Sequence, residues 1–463
     1  MNTKLELFEQ SVCGKSVGVI GIGISNTPLI KMLVKMGANV TARDKKTADI
    51  LGDIAQELQS IGVKTVLGEE YLSNITEDIV FKTPGMRIDT PELLGAKERG
   101  AIVTSEMEVF FDVCPAKIIA ITGSDGKTTT TTLIYKMLTE QGYKCWLGGN
   151  IGTPLLSDVE NISVTDKVIL ELSSFRLHSM RSSPNIAVIT NLSPNHLDVH
   201  KSMEEYITAK ENIFAYQDKT DKLVLNYDNE ITRELCQKSN APVTMFSRTS
   251  NIKTGVYLKN EQIFVCEDDK EIEVLNINDI LLPGVHNVEN YMAAIAAVWG
   301  LVEVKAIRNI AKNFGGVQHR IEFVREVNDV KYYNDSIASS PTRARAGLYS
   351  FDKKVIMIAG GYDKNIPFDD LGNDIVKRVK LLVLMGKTLP KIKKAVEEAD
   401  GYSENNPPII TADSLKDAVI KATKLAKSGD IIILSPACAS FDMFKNFEER
   451  GNQFKQIVME LGL

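Results

Sequence analysis

Residues 118–131 read Ile-Ile-Ala-Ile-Thr-Gly-Ser-Asp-Gly-Lys-Thr-Thr-Thr-Thr. An apolar run gives way to a glycine turn, then to Lys127 and a threonine string. That order predicts a buried strand, a loop folded around an anion and the start of a helix. Backbone N–H groups and the helix N-terminus would face the phosphates, Lys127 would reach the terminal ones, and Thr128 would ligate Mg²⁺. The spacing is compressed. An ordinary phosphate loop has a glycine five residues before Gly126, and Ile121 stands there. The loop is instead Gly123-x-x-Gly126-Lys127-Thr128. ATP binding is expected, and a standard GTPase or kinase-type loop is disfavoured. The plainer alternative is a strand end closed by glycine and threonine with no ligand.

A chain of 463 residues carries a length prior of about three domains. Three α/β blocks are legible. The first opens with an apolar strand over 16–25, a helix over 27–36 and the strand Asn39–Asp44, a βαβ unit of about 30 residues. Strands follow over 79–82 and 101–104. The second block, from about 105, carries the phosphate loop and strands over 167–172, 186–191 and 222–226. Residues 243–282 look like a β-rich antiparallel excursion, closed by helices over 288–299 and to about 313. The third, from about 317, has strands over 330–334, 355–359, 381–385 and 431–434. Alternating strands and helices imply covered, mostly parallel sheets. The expected domains are 1–104, 105–316 and 317–463.

Net charge is −6 without a long basic block, which disfavours nucleic acid as a partner. The six cysteines (13, 114, 145, 236, 266, 438) form no CxxC pair, as in a reduced chain without a zinc site. The N-terminus lacks an apolar signal core, and no apolar run nears the ~20 residues that span a bilayer. A cytoplasmic protein with no membrane partner is expected.

Polar groups gather where apolar strands end, the ligand crevice of an open α/β sheet. Gly18, Gly21, Gly23 and Asp44 resemble a dinucleotide fingerprint, but Asn26 replaces its third glycine. That weakens a nicotinamide reading and leaves a nucleotide diphosphate at Ile24 and Ser25, or a bare turn, as alternatives. Glu171 closes a strand and is a natural Mg²⁺ ligand beside a phosphate loop, the alternative being a solvated carboxylate. His196 and His200 follow another strand. Each taken singly reads as a surface histidine, with His196 the better metal candidate. Lys210 lies in a charged, helix-like stretch, where a solvated lysine is the default. His286, Asn287 and Asn290 open a helix and would serve as caps if not as ligands. In the third block, Asn334-Asp335-Ser336, Gly360 to Lys364 and Ser435 to Ser440 all follow strands and suggest a second crevice.

These runs together, with Gly149-Asn-Ile-Gly152, Glu171-Leu-Ser-Ser-Phe175, Gly284 to Asn290 and His319-Arg320, resemble the ATP-dependent Mur ligases of peptidoglycan synthesis over nearly the whole chain and in order. Glu171 to Phe175, with the run from Ser435 to Gly451, resembles the branch that adds D-glutamate to UDP-N-acetylmuramoyl-L-alanine. The resemblance implies Rossmann-like terminal domains flanking a central ATPase domain. It implies an acyl-phosphate intermediate, two Mg²⁺ ions, ATP as substrate, a monomer, and closure by domain movement. Residue by residue, it implies ATP contacts at Gly123, Ser124, Asp125, Gly126, Lys127, Thr128, Thr129, Asn287, Asn290, Arg320 and Asp335. Metal ligands are Thr128, Glu171, His196 and Lys210 as a carbamate. Lys127, His196 and Lys210 are the catalytic set. Ile24, Ser25, Asp44, Lys45, Gly85, Asn150 and Ser173 are implied for the UDP-linked substrate, and Lys364, Ser440 and Phe447 for D-glutamate. Three positions depart from the pattern. Asp125 stands for a frequent Asn, Ile337 for a Lys, and Lys45-Lys46 for a Thr-Arg pair. The rivals are another Mur-type or folylpolyglutamate-type ligase, a nucleotide-binding regulatory module without chemistry, and a nicotinamide-dependent dehydrogenase.

Overall fold

The computed structural model describes residues 3–194, 200–268, 270–364 and 366–462. Two compact units divide the chain, one of residues 1–277 and 288–310, the other of 278–287 and 311–463.

The first unit contains two sheets. Strands β1 (Ser16–Ile20), β2 (Asn39–Asp44), β3 (Lys64–Leu67), β4 (Ile79–Phe81) and β5 (Ile102–Thr104) form a parallel sheet in the order β3-β2-β1-β4-β5. Val17, Val19, Val80 and Phe81 are fully buried, as a sheet covered on both faces requires. The expected strand over 16–25 stops at Ile20. Gly21 adopts φ 93°, and the chain then turns through open loop to the helix Asn26–Lys35. Gly18 proves to be a packing position. A Cβ there would press on Glu77 at 3.2 Å.

The second sheet orders as β14-β13-β12-β11-β10-β9-β6-β8-β7. Its strands are β6 (Lys117–Thr122), β7 (Cys145–Gly149), β8 (Lys167–Glu171), β9 (Ile186–Ile189), β10 (Lys222–Asn226), β11 (Val243–Ser247), β12 (Gly255–Lys259), β13 (Gln262–Glu267) and β14 (Lys270–Asn276). Pairing is parallel from β7 to β12, and β12, β13 and β14 pair antiparallel, the excursion expected after residue 243. The apolar strand β6 sits among β8 and β9, so its carboxyl end opens between two neighbours.

The other unit has one sheet, β15 (Glu322–Val327), β16 (Val330–Asn334), β17 (Val355–Ala359), β18 (Val379–Leu384), β19 (Ile409–Thr411) and β20 (Ile431–Leu434), ordered β15-β16-β20-β17-β18-β19. Only the β15–β16 hairpin is antiparallel. Apolar side chains cover both faces of this sheet.

A buried ion pair braces the first sheet. The Arg43 guanidinium donates to Glu77 Oε1 from Nε at 3.0 Å and Nη2 at 2.8 Å. It also donates to the carbonyls of Tyr71, Ser73 and Asn74. Both side chains are about 5% exposed. Replacing Glu77 by Ala leaves the buried cation without its counter-charge, at a cost of about 3–5 kcal/mol. Denaturant unfolding of Glu77→Ala is expected to show a loss of that size. A loss below about 1 kcal/mol would mean that the three carbonyls suffice.

Candidate functional site

β6 delivers the chain into the loop at Thr122, and the helix Lys127–Glu140 begins directly after Gly126. Gly126 has φ 76° and Gly123 φ 149°, values that side chains resist. Space forbids side chains as well. A Cβ on Gly123 would strike the Thr190 hydroxyl, and one on Gly126 the Asn290 amide oxygen. The loop is pinned from β9. Thr190 Oγ1 donates to the carbonyl of Asp125 at 2.5 Å, and Asn191 Oδ1 accepts from Asp125 N at 3.0 Å. Ser124 Oγ donates to Ser193 O at 2.9 Å and lies 3.0 Å from the Tyr206 hydroxyl. Lys127 Nζ curls back onto the carbonyls of Gly123 and Ser124, at 3.0 and 2.9 Å. Its charge thus sits over the loop that would cradle phosphates. Thr128 is buried at the mouth of the helix, with Thr129 beside it, and the Thr130 hydroxyl meets Asn290 Oδ1 at 3.3 Å.

Lys210 breaks the solvated-lysine expectation. It is 2% exposed, on the helix Met203–Glu211. Its Nζ donates to Thr122 Oγ1 at 2.9 Å and to the Gly123 carbonyl at 2.8 Å, and lies over the Tyr206 ring. Burial pushes this ammonium well below the usual lysine range, and Lys127 pushes the same way. Glu171 and Asp125 oppose them. Glu171 stands at the end of β8, in register with Ile121 of β6. It is 5% exposed, and its Oε1 accepts from Asn150 Nδ2 at 3.4 Å. Its buried Oε2 has no hydrogen-bond partner among the described residues. A buried carboxylate oxygen left open beside a phosphate loop fits a divalent cation. Among the described residues no three His, Cys, Asp or Glu side chains cluster as a metal site. His196 lies outside the described residues. His200 corrects the surface reading. It is 3% exposed, its Nε2 is 2.8 Å from Ser174 Oγ, and it stacks on Phe175.

Around β8 the other expected residues converge. Arg176, which the sequence reading missed, donates from Nε to Asn150 Oδ1 at 3.2 Å and from Nη2 to Gly149 O at 3.2 Å. Ser173 Oγ accepts from Arg176 N and caps the short turn after β8. In the first sheet, Asp44 is committed to the loops on either side. Its Oδ2 accepts from Ile22 N at 2.6 Å and its Oδ1 from Lys46 N at 2.8 Å. Ile24 is 87% exposed and Ser25 precedes the helix Asn26–Lys35. Lys45 is exposed beside Asp44, and Gly85 lies in the turn after β4.

The second unit gathers a separate polar nest at its strand ends. Asn287 Nδ2 donates to Pro283 O at 2.6 Å, tying down the start of the helix Val285–Val298. Asp335 follows β16 in full burial. Its Oδ2 accepts from Ser435 Oγ at 2.9 Å and its Oδ1 from Ile321 N at 3.3 Å. Its neighbours His319 and Ile321 both have positive φ, 64° and 44°. Asp335 therefore holds a strained turn that carries the exposed Arg320. Ser440 is buried, Phe447 packs edge-on to His319 at 5.9 Å, and Lys364 is exposed after β17. Ile337, in place of a lysine, donates its N–H to His319 O at 3.1 Å. The sequence reading also missed Arg450, fully buried. It donates to Ser336 Oγ and O and to the carbonyls of Cys438 and Ala439, so it locks the loop that ends in Ser440. Only its place in the long Ser435–Gly451 run hinted at this.

Desolvation pushes the Asp335 carboxyl up to about 7, against its hydrogen bonds and the Arg320 and Arg343 charges. Between the ordinary 3.8 and that value the folded chain holds a proton that the unfolded chain has released. Stability therefore falls as pH rises through this window and levels off above it. Asp335→Asn keeps the shape and is expected to lose that slope. Urea midpoints of the two proteins from about pH 4.5 to 7.5 check it; parallel curves would show that Asp335 ionises normally in the fold.

The model of the Mur ligase middle domain matches residues 121–298, and that of the Mur ligase glutamate ligase domain matches residues 319–438. The chain is 58% identical over 461 residues to the UDP-N-acetylmuramoylalanine–D-glutamate ligase of Acetivibrio thermocellus, covering 99% of each chain. To the protein of the same name from Clostridium kluyveri it is 54% identical over 462 residues, covering all of both. Among solved structures, the UDP-N-acetylmuramate–alanine ligase of Thermotoga maritima shares the fold with a TM-score of 0.55 at 18% identity, covering 96% of this chain and 99% of that one. Identity of this order across the whole length, over both matched domains, places the chain in the Mur ligase family.

Proposed function

We propose that the chain is an ATP-dependent ligase that joins D-glutamate to UDP-N-acetylmuramoyl-L-alanine in peptidoglycan precursor synthesis. The observation that carries the reading is the buried set at the end of β6. A desolvated Lys210, a Glu171 oxygen without a partner and the Lys127 loop are brought together there by three separate segments. Proteins bearing the D-glutamate ligase name match the chain end to end. The proposed division of labour is 1–104 for the UDP group, 105–316 for ATP and 317–463 for the amino acid, in a monomer of the cytoplasm. Among the described residues no helix is long and apolar enough to cross a membrane.

ATP gives its terminal phosphoryl group to the alanyl carboxylate, the D-glutamate amine attacks the acyl phosphate, and phosphate departs. The backbone N–H groups from Ser124 to Thr129 and the Lys127 ammonium hold the triphosphate where negative charge grows. Asn290 and Asn287 support the adenosine side, with Arg320 and Asp335. Mg²⁺, two ions, would be held by Thr128, Glu171, His196 and Lys210 as a carbamate, and would supply charge neutralisation between carboxylate and phosphoryl oxygens. Carbamate formation needs the neutral amine, which the burial of Lys210 favours. Asn150 and Ser173 position the muramoyl end, while Ile24, Ser25, Asp44, Lys45 and Gly85 serve the uridine diphosphate. Lys364, Ser440 and Phe447 receive D-glutamate, with Arg450 holding the Ser440 loop in shape.

An ADP-release assay with UDP-N-acetylmuramoyl-L-alanine and a panel of amino acids tests the reading. D-glutamate is expected to support turnover, and L-glutamate or D-aspartate to support little, because a displaced carboxylate leaves a cation unpaired. Equal rates with other amino acids would move the chain to another ligase of the family. Turnover without amino acid or precursor would point to a nucleotide-hydrolysing module instead.

Two substitutions read out the roles. Lys127→Ala is expected to lower kcat by on the order of 10³-fold while circular dichroism stays unchanged. Turnover within a few-fold of the parent would remove Lys127 from the phosphate site. Lys364→Ala is expected to raise the KM for D-glutamate far more than that for ATP. Equal effects on both would place Lys364 outside the amino-acid pocket.

A further inference from the structure

We infer that Lys82 is an anchoring cation for the diphosphate of the uridine-linked substrate, an inference that rests on the UDP-substrate reading above. Lys82 is the first residue past β4, which pairs with β1 so that Phe81 lies opposite Val19. The order β3-β2-β1-β4-β5 reverses direction between β1 and β4. That is the switch point at which open α/β sheets hold ligands, beyond the carboxyl ends of the strands. Lys82 therefore stands beside the chain that leaves β1 for the helix Asn26–Lys35.

Lys82 is 2% exposed, yet its ammonium has no hydrogen-bond or ion-pair partner among the described residues. It lines a small cavity with Ser25, Asn26, Pro84, Ser105, Glu106 and Arg176. The helix N-terminus opens on the same cavity, and no side chain caps it. Asn26 spends its amide on Ile20 O at 2.9 Å. The charges facing Lys82 compensate it only in part. Glu108 acts on it through space, but Glu108 Oε2 already accepts from Ser105 Oγ at 2.6 Å and Ser179 Oγ at 3.4 Å. Glu106 faces Arg176 at 3.8 Å, and Arg176 spends its other donors on Asn150 and Gly149. Arg176 and Lys97 add repulsion. The Lys82 stem is buried while its ammonium faces the cavity with its donors unused by the described residues, and a phosphate oxygen entering there would engage them. The cavity measures about 10 Å³, room for about one water. A single oxygen of the ligand, rather than a whole phosphate, would enter to meet Lys82. Burial and the two nearby cations also press the Lys82 pKa downward, so a dianion is the kind of ligand that restores its charge.

The test is isothermal titration of the full chain and its variants with UDP, UMP, uridine and inorganic pyrophosphate. Lys82→Met is expected to weaken UDP by about ten- to a hundredfold, UMP less, and uridine not at all. Lys82→Arg is expected to fall between. Pyrophosphate alone is expected to bind poorly to every form; tight pyrophosphate binding lost in Lys82→Met would mean a free-anion site and overturn the assignment. So would unchanged UDP affinity, or an equal loss of UDP and uridine. Glu108→Gln keeps the test open if Lys82→Met does not fold. UDP affinity within about twofold of the parent is expected there, whereas a tenfold loss would make Lys82 the partner of Glu108. Failure of the parent to bind UDP would sink the substrate reading itself, whereas UDP binding indifferent to Lys82 sinks this inference alone.

Discussion

Parallel strand pairing is the constraint on which the rest depends. A parallel strand cannot be followed by a tight hairpin, so each crossover must climb over the sheet, here mostly as a helix. The parallel strands of a sheet then end on one edge, and the loops that leave that edge stand side by side. Thr122, Glu171 and Thr190 are far apart in sequence, yet β6, β8 and β9 are neighbours and bring the three together. The same geometry places Asp335, Gly360 and Ser435 at one edge of the sheet in the other unit.

In each sheet, burial decides the electrostatics. Lys210, Lys82 and Arg450 are each nearly or wholly removed from water. Their situations differ because their partners differ. Arg450 is saturated by carbonyls and a hydroxyl, which makes it a brace. Lys210 has two acceptors and an oppositely charged Glu171 near by, while burial favours its neutral amine, the form that the proposed carbamate needs. Among the described residues Lys82 has no acceptor and retains its donors. Arg43, paired with Glu77 and three carbonyls, shows how completely the same chain satisfies a buried cation when nothing else is to bind there.

Strain and close approach mark two backbone segments that the proposed function assigns to ligand. Gly123 and Gly126 combine positive φ with contacts that leave no room for a side chain, so the loop before Lys127 is built from what glycine allows. In the other unit, His319 and Ile321 carry positive φ without being glycine, and Asp335 pays for it with a buried carboxyl.

Much was legible in the sequence because it is local. The glycine-lysine-threonine spacing, the apolar strands before it and the alternation of strand and helix follow from side-chain period and backbone freedom, both written along the chain. β2, β10, β16, β17 and β20 lie where apolar runs end in polar residues. Burial is not local, and tertiary structure alone decided it. Lys210 and His200 sit in polar stretches that read as solvated, and both are interior because other segments close over them. Gly18 looks like a ligand glycine and instead makes room for Glu77, 59 residues on. Lys82 is one more lysine at a strand end until the sheet order sets it at the switch point, inside a cavity with Arg176. The physical reason is the same each time. Desolvation depends on everything that surrounds a group, and only the folded chain specifies those surroundings.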